Sequence, residues 1–395
     1  MLVIVDILHR GAEGWEIYEV KSSTEVKDVH LYDLAVQYHV LKCCGLDISR
    51  TCLVHINNEY VRQGEIEVSG LFTIADLTAD VAANQKFVVE ELNKMKKMLG
   101  GECPVIDIGT HCYDPYECDF MGHCWAHIPD NSVFDLARLN LTKKFGLYYD
   151  GVVSFKDIPE DYPLSDRQLA QVDAELTGRE IIDRDGIKEF LDSLHYPLYF
   201  LDFETFRLAV PPFDGVRPYE QVPFQYSIHA LNGEGVELEH YEFLAEPGTD
   251  AREEIAKRFV ETIPEGACVV AYNMSFEKMI IRSLADRLPA YRDRLMEMHD
   301  SMADLMEPFR KLYYYKKEMC GSYSIKKVLP ALVPEMSYEG MEVSNGDEAM
   351  GAYLSLQFEV DKNRIESVRR ALLKYCWLDT LAMVKLLEKL REVVK

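Results

Sequence analysis

Basic charge is in short supply in this chain. Its 395 residues hold 67 Asp and Glu against 43 Lys and Arg, a formal net charge of −24. That balance excludes a broad basic surface for nucleic acid, so any contact with a phosphate polymer has to be local. No apolar run approaches the roughly 20 residues that a membrane span needs, so no membrane partner is expected. The opening segment, MLVIVDILHRGAEGW, has neither a basic leader nor a small-residue cleavage site. It reads as a strand entering a hairpin rather than a secretion signal, and the cytoplasm is the expected location. Internal repeats and low-complexity segments are missing too.

What is present suffices for a large core. Hydrophobic residues make up 48% of the chain, enough for two or three domains. The ten cysteines do not read as a disulfide framework. Cys43, Cys44, Cys52, Cys268 and Cys376 lie mostly in apolar surroundings and read as small core residues, while Cys103 and Cys320 are ambiguous. Cys112, Cys118 and Cys124 differ, because they are evenly spaced in HCYDPYECDFMGHCW.

Three short acidic segments carry most of the chemistry. Asp202 and Glu204 are two apart in PLYFLDFETF, which reads as a strand, so both side chains leave one face. Glu277 follows a buried strand, ACVVAYN, at the start of a helix. Tyr375 and Asp379 are four apart in a long helical pattern and also share a face. Carboxylates gathered in this way repel unless a cation sits among them, and hard divalent ions with oxygen ligands meet that need. Mg²⁺ or Mn²⁺ held by Asp202, Glu204, Glu277 and Asp379 would equip the chain for in-line phosphodiester cleavage.

A second set of such residue types lies at the front. LVIVDILHRGAEGWEIYEVKSST reads as two strands joined around Gly11 and Gly14. Asp6 is placed on the first strand, and Glu19 and Lys21 share one face of the second. The carboxylates of Asp6 and Glu19 could hold Mg²⁺, with Lys21 orienting water or stabilising developing charge. Gln37 and Tyr38, on the helix that follows, could reach the same place. An amphipathic hairpin with a surface Glu and Lys is the plain alternative.

The Gln-Tyr helix and the downstream cysteines together resemble the RecB-like nucleases, whose motif reads Asp…Glu-x-Lys…Gln. The matching positions are Asp6, Glu19, Lys21 and Gln37. The resemblance implies a [4Fe–4S] cluster on Cys112, Cys118 and Cys124. Its usual fourth cysteine lies upstream of the nuclease core, where this sequence has none. A longer natural chain, Cys103 or a histidine would then complete the set. Zinc is the alternative metal, because His111, His123 and His127 are close by.

From Tyr196 onward strands alternate with helices, an α/β pattern. The order resembles the ribonuclease H-like, DnaQ-type 3′–5′ exonucleases, and Tyr375-x-x-x-Asp379 matches their tyrosine subtype. This resemblance makes Asp202, Glu204 and Asp379 metal ligands and Tyr375 the residue that positions water. Glu277 stands where those enzymes usually have Asp. PLYFLDFETF, PPFDGVRPYEQVPFQYS, YNMSFEK, GSYSIKKVLPALVPEMSY and YCWLDTLAM together look like one bacterial family, the domain-of-unknown-function family numbered 2779. The resemblance runs from about Val5 to Leu390 and pairs both nuclease-like halves.

The expected organisation is therefore a RecB-like nuclease domain over 1–127, a helical connector over 128–195 and a ribonuclease H-like domain over 196–395. In the connector SVFDLARLNLTKKFGLYYDGVVSFKDIPED reads as a helix and a turn containing Gly151, and DRQLAQVDAELTG and RDGIKEFLDSL as further helices, with Asp185 as a possible cap of the last. The leading expectation is a metal-dependent 3′–5′ exonuclease with a second RecB-like site, acting on nucleic acid, with DNA favoured over RNA. A catalytically silent nucleic-acid-binding scaffold and a hydrolase of small phosphate esters are the alternatives. Lys316, Lys317, Lys326 and Lys327, around Tyr313, Tyr314 and Tyr315, are candidate phosphate contacts. Gly321–Lys327 reads equally as a strand-holding loop or a Ser-capped helix start. Asp304 reads as an acid supporting the site from behind, and Asp214 as a turn residue.

Overall fold

A parallel pairing needs a crossover, and the first helix of this chain supplies one. In the computed structural model, which describes residues 1–395, Met1–Trp125 and Arg207–Glu220 make up one unit. Strands β1 (Ile7–Arg10) and β2 (Trp15–Lys21) form an antiparallel hairpin, with Ile7 opposite Tyr18 and Arg10 opposite Trp15. At its turn Gly14 adopts φ +155, and a Cβ there would lie 2.8 Å from the Asp47 carbonyl oxygen. Helix α1 (Asp28–Cys43) then crosses to β3 (Ile48–Ile56), which runs parallel to β2. Helix α2 (Val68–Leu71) leads into β4 (Phe72–Asp76), closing a sheet of order β1-β2-β3-β4. Helices α3 (Thr78–Ala83), α4 (Gln85–Leu99) and α5 (Met121–Cys124) follow.

The unit's core joins Ile17 and Leu53 of the sheet to Leu34 and Ala35 of α1, with Val81 and Val88 from the later helices. Burying the Ile, Leu and Val side chains of this core stabilises by about 1.5–3 kcal/mol each. Because side chains alternate along β2, Glu19 and Lys21 share a side with Ile17, while Val20 faces solvent. Arg62 holds Arg207–Glu220 within the unit through the Pro211 and Pro212 carbonyls, at 3.0 and 2.7 Å. Asp214 does more than turn the chain there, since it accepts from the Gly64 amide at 2.8 Å.

Residues 126–206 and 221–395 form the second unit, so the expected connector folds with the C-terminal half. Its leading helices are α6 (Leu141–Tyr149), α7 (Asp166–Thr177) and α8 (Arg184–Asp192). Ser165 and Gln168 cap α7 reciprocally. Asp183, not Asp185, caps α8, accepting from the Gly186 amide at 3.0 Å; Asp185 already lies inside the first turn. Strand β5 (Ile181–Ile182) pairs with β11 (Tyr314–Tyr315), which buries both tyrosines of that strand. The aromatic run is therefore packing rather than a stacking platform.

The main sheet has order β10-β9-β6-β7-β8. Strands β6 (Leu198–Phe206), β7 (Val222–Leu231) and β8 (Glu239–Leu244) are successive antiparallel neighbours. Helix α9 (Arg252–Thr262) leads to β9 (Cys268–Ala271), parallel to β6. Helices α10 (Ser275–Arg287) and α11 (Arg292–Asp300) precede β10 (Ala303–Asp304), parallel to β9. Helices α12 (Glu307–Arg310), α13 (Ile325–Leu332), α14 (Gly346–Ser355) and α15 (Lys362–Val393) complete the unit.

The last helix is a single rod of 32 residues. Leu372, Tyr375, Cys376, Asp379 and Met383 recur at helical spacing on its buried side, which packs on β6 and β7. Polar contacts fix its register: Gln225 donates to the Leu372 carbonyl at 2.8 Å, and the Thr380 hydroxyl lies 2.7 Å from that of Ser227 and 2.8 Å from His229 Nδ1. With β6 in the middle of the sheet and α15 across it, Asp202, Glu204 and Asp379 are brought together.

Candidate metal centre

One carboxylate oxygen from each of Asp202, Glu204 and Asp379 lies within 4.8 Å of the other two. The two strand acids share a face of β6 by alternation, and α15 delivers Asp379 to it. Glu204 and Asp379 are buried, whereas Asp202 keeps partial exposure. Glu277, third residue of α10, is 4% exposed, and its Oε2 is buried with no hydrogen-bonding partner. An orphaned buried carboxylate oxygen is costly unless something cationic meets it. The donor set is all oxygen, the chemistry that suits Mg²⁺ or Mn²⁺. Asp202, Glu204 and Asp379, with Glu277 nearby, therefore fit a divalent cation.

The electrostatics agree with that fit. Burial, and then the charges of Asp379, Glu204 and Glu277, hold the Asp202 carboxyl well above its ordinary range. Burial and Asp379 push Glu204 up to about 8, against the opposing pull of Lys326. Glu277 is also pushed up to about 8, by burial first and then by Asp304 and Asp379. Burial raises Asp379 to about 6, while hydrogen bonding from Tyr338, the Lys326 charge and hydrogen bonding from Tyr375 limit the rise. Four acids that resist ionisation at one place are poised to take up a cation and release protons.

Several residues around the acids have no counterpart in the motif reading. Tyr338 donates to Asp379 Oδ1 at 2.6 Å. Cys376, kept as a thiol by burial and by the neighbouring carboxylates, donates to Asp202 Oδ2 at 3.3 Å. Lys326 has its Nζ 5.9 Å from the ring centres of both Tyr338 and Tyr375, and donates to the Ser344 carbonyl. Lys326 is exposed, and its charge opposes the rise of Glu204 and Asp379. Gly346 opens α14 beside Glu204, where a Cβ would stand 3.6 Å from Glu204 Oε2.

Asp304 accepts from the amides of Asn273 at 2.9 Å and Met306 at 3.1 Å. Asn273 has φ +69, so this carboxylate holds the strained turn from which α10 carries Glu277 into the site. Ser324 stands at the N-cap of α13, but its side chain makes no cap hydrogen bond. Lys316 pairs with Glu180 at 3.3 Å, while Lys317 lies in a 3₁₀ turn and Lys327 is exposed.

In the first unit a different set converges. Lys21 Nζ lies 2.6 Å from Glu19 and 2.7 Å from Asp33, and Gln37 donates to Glu19 at 2.8 Å and to Asp33 at 3.1 Å. Burial opposes the Lys21 charge, yet the hydrogen bonds it donates to Asp33 and Glu19 hold its ammonium above the ordinary range. Burial also opposes the Asp33 charge, but Lys21 and Gln37 hold that carboxyl below its usual range. Asp6 precedes β1 instead of lying on it, is exposed, and accepts from the Val20 amide at 2.8 Å. Asp33 is the acid that Glu19, Lys21 and Gln37 share, and its spacing of four from Gln37 on a helix was the signal for it. Tyr38 packs on the hydrophobic core.

The cysteines divide in another way than their surroundings suggest. Cys52, Cys268 and Cys376 are buried, but Cys43 and Cys44 at the end of α1 are exposed. Cys112 is buried and Cys118 and Cys124 half-buried, with the Cys118 amide donating to the Cys112 carbonyl at 2.9 Å. Their sulfurs do not form a set as tight as the three acids. Cys103 is exposed, as are His111, His123 and His127, and His127 bonds to the Tyr148 hydroxyl. No metal is assigned to these residues.

Residues 199–324 match a family model described as Domain of unknown function (DUF2779). The matched stretch holds Asp202, Glu204 and Glu277, and ends before Tyr338 and Asp379. The chain is also similar to "Uncharacterized protein MG366" of Mycoplasma genitalium, at 23% identity over 215 residues, covering 50% of this chain and 32% of the relative. The chain thus spans about a third of the length of that curated relative. No solved structure matches. No helix is long and apolar enough to cross a membrane.

Proposed function

We propose that the second unit is a metal-dependent phosphodiesterase that removes nucleotides from the 3′ end of a nucleic acid. The observation that carries this reading is the convergence of Asp202, Glu204 and Asp379 within 4.8 Å, beside the orphaned oxygen of Glu277. Mg²⁺ or Mn²⁺ bound there would supply charge stabilisation at phosphate and a water acidic enough to act near neutral pH. The chain's own residues do the rest. Asp202, Glu204 and Asp379 hold the site, and Tyr338 and Cys376 fix two of those carboxylates through hydrogen bonds. Tyr375, buried and raised by the surrounding acids, keeps its proton and positions water. Lys326 offers positive charge where negative charge grows in the transition state.

Strand order adds support, because the acid-bearing strand β6 lies at the centre of a mixed sheet flanked by helices, as in the ribonuclease H-like resemblance. The set of Glu19, Lys21, Asp33 and Gln37 supports a second, RecB-like phosphodiester site in the first unit. The test is degradation of 5′-labelled single- and double-stranded DNA and RNA with Mg²⁺ or Mn²⁺. A ladder that shortens from the 3′ end, lost in Asp202→Ala and kept in Glu19→Ala, is expected. Cleavage that survives Asp202→Ala and disappears in Glu19→Ala would move the activity to the first unit.

A further inference from the structure

A cavity of about 610 Å³ opens in the second unit, lined by Ala137, Arg138, Tyr272, Asn273 and the run Cys320–Ile325. Two of its lining segments lead along the chain toward the acids. Asn273 begins the turn that carries Glu277, and Ser324 and Ile325 lead directly into Lys326. Tyr272 closes the wall, donating to the Tyr323 carbonyl at 2.7 Å.

The cavity's charge is unusual for so acidic a chain. Arg138 and Arg167 both place their guanidinium carbons 4.7 Å from the centre of the Tyr323 ring. Neither forms an ion pair. Arg167 spends one nitrogen on the Phe309 and Arg310 carbonyls, at 2.7 Å each, and its Nη1 is buried without a partner. Arg138 is exposed and lines the cavity. Two neighbouring like charges with no carboxylate between them lack a counter-ion. Acidic residues outnumber basic ones in this chain, 67 to 43, so leaving this pair unmatched is a feature of the place and not of the composition.

The wall that presents Arg138 is also built rigidly. Gln171 Oε1 accepts from the Ala137 amide at 2.8 Å, and Gln168 donates to the Ala137 carbonyl at 2.8 Å. Both glutamines are buried. Arg138 itself is held at φ +56, a left-handed conformation that is costly for an arginine. Gly321, packed against this wall, has φ +71, and a Cβ on it would meet Ala137 Cβ and Gln171 Oε1 at 2.6 Å each. Any other residue there would push Ala137 and Arg138 out of place.

We propose that this cavity is a phosphate-binding subsite for the nucleic-acid strand, with Arg138 as the residue that takes the anion. The inference rests on the nuclease reading for its substrate class and deepens it. A guanidinium suits the role, because its planar fork meets two phosphate oxygens at once. Arg167, outside the cavity lining but 4.7 Å from the Tyr323 ring, adds a second positive charge. The strand would be gripped here while the bond to be cut lies at Asp202, Glu204 and Asp379.

The test reads binding without turnover. A short fluorescein-labelled oligothymidylate is titrated with the full chain in Ca²⁺, by anisotropy, over a series of salt concentrations. Arg138→Gln is expected to weaken binding roughly ten-fold and to lower the salt slope by about one. Arg138→Lys, which keeps the charge, is expected to restore the slope but not the full affinity. Equal affinity and slope in wild type and Arg138→Gln would overturn the proposal, as would failure of wild type to bind. Cleavage in Mn²⁺ is scored separately. Arg138-dependent binding with no cleavage would remove the nuclease reading and leave the subsite standing, whereas cleavage with Arg138-independent binding would do the reverse.

Discussion

The hydroxyl of Tyr338 donates to Asp379 Oδ1 at 2.6 Å, joining a loop after α13 to the buried face of α15 across 41 positions. That bond fixes the rotamer of the acid that α15 brings to β6. Tyr338→Phe removes the donor and keeps the ring. Loss of one hydrogen bond to a charged group costs about 1.5–3 kcal/mol. Metal-dependent turnover is expected to fall roughly ten-fold with little change in the far-ultraviolet spectrum. Unchanged turnover would show that Asp379 needs no such support.

Glu277→Gln separates stability from function. The carboxylate is buried, lacks a partner at Oε2, and faces like charge from Asp304 and Asp379. Replacing it with a neutral isostere is expected to raise the metal-free melting temperature by a few degrees. Mn²⁺-dependent cleavage is expected to fall by roughly 10²-fold or more, the scale seen when one stabilising group of an active site is removed. Melting curves with and without Mn²⁺, beside a cleavage assay, check both signs. A variant that is less stable and fully active would contradict the placement of this acid.

The acids also set a pH dependence. Glu204 and Glu277 are pushed up to about 8 and Asp379 to about 6, all above their unfolded values. The folded, metal-free protein therefore holds protons that the unfolded chain has lost, so this contribution to stability is full at low pH. It is lost progressively as pH rises from the ordinary carboxyl values, 3.8 and 4.5, to about 6 for Asp379 and about 8 for Glu204 and Glu277. Metal-free melting temperature is expected to drop across that window, and saturating Mn²⁺ is expected to reverse the drop. Calorimetry in buffers of different ionisation enthalpy should register protons released on metal binding. A metal-free protein whose stability rises over the same window would contradict the assignment.

How much of this was legible in the sequence depends on distance along the chain. Asp202 with Glu204, and Tyr375 with Asp379, are visible because strand and helix periods put each pair on one face. The alternation of strands and helices after Tyr196 gave the mixed sheet for the same reason. Tyr338 and Arg138 were hidden, since each reaches its place through a loop that no period describes, and Lys326 was visible as a basic residue but not as a neighbour of the acids. Arg138 in particular owes its conformation to Gln168 and Gln171, some thirty positions away. Asp33 is within reach of helical spacing from Gln37, whereas Asp6 reads as a strand residue and lies just outside the strand.

The first unit offers a direct comparison of those two acids. Asp33→Ala removes charged hydrogen bonds to Lys21 and Gln37, and is expected to cost about 1.5–3 kcal/mol. Asp6→Ala removes an exposed contact to the Val20 amide and is expected to cost about 1 kcal/mol or less. Urea unfolding of the two variants checks the ranking. Equal costs, or a greater cost at Asp6, would place the shared acid at the wrong residue.

The most direct test of the central claim is a titration of the full chain with Mn²⁺, followed by electron paramagnetic resonance, for wild type, Asp202→Asn and Asp379→Asn. If Asp202, Glu204 and Asp379 gather to hold a divalent cation, wild type binds Mn²⁺ and each variant binds it at least roughly ten-fold more weakly. Binding of equal strength in all three, or none in wild type, would contradict the account.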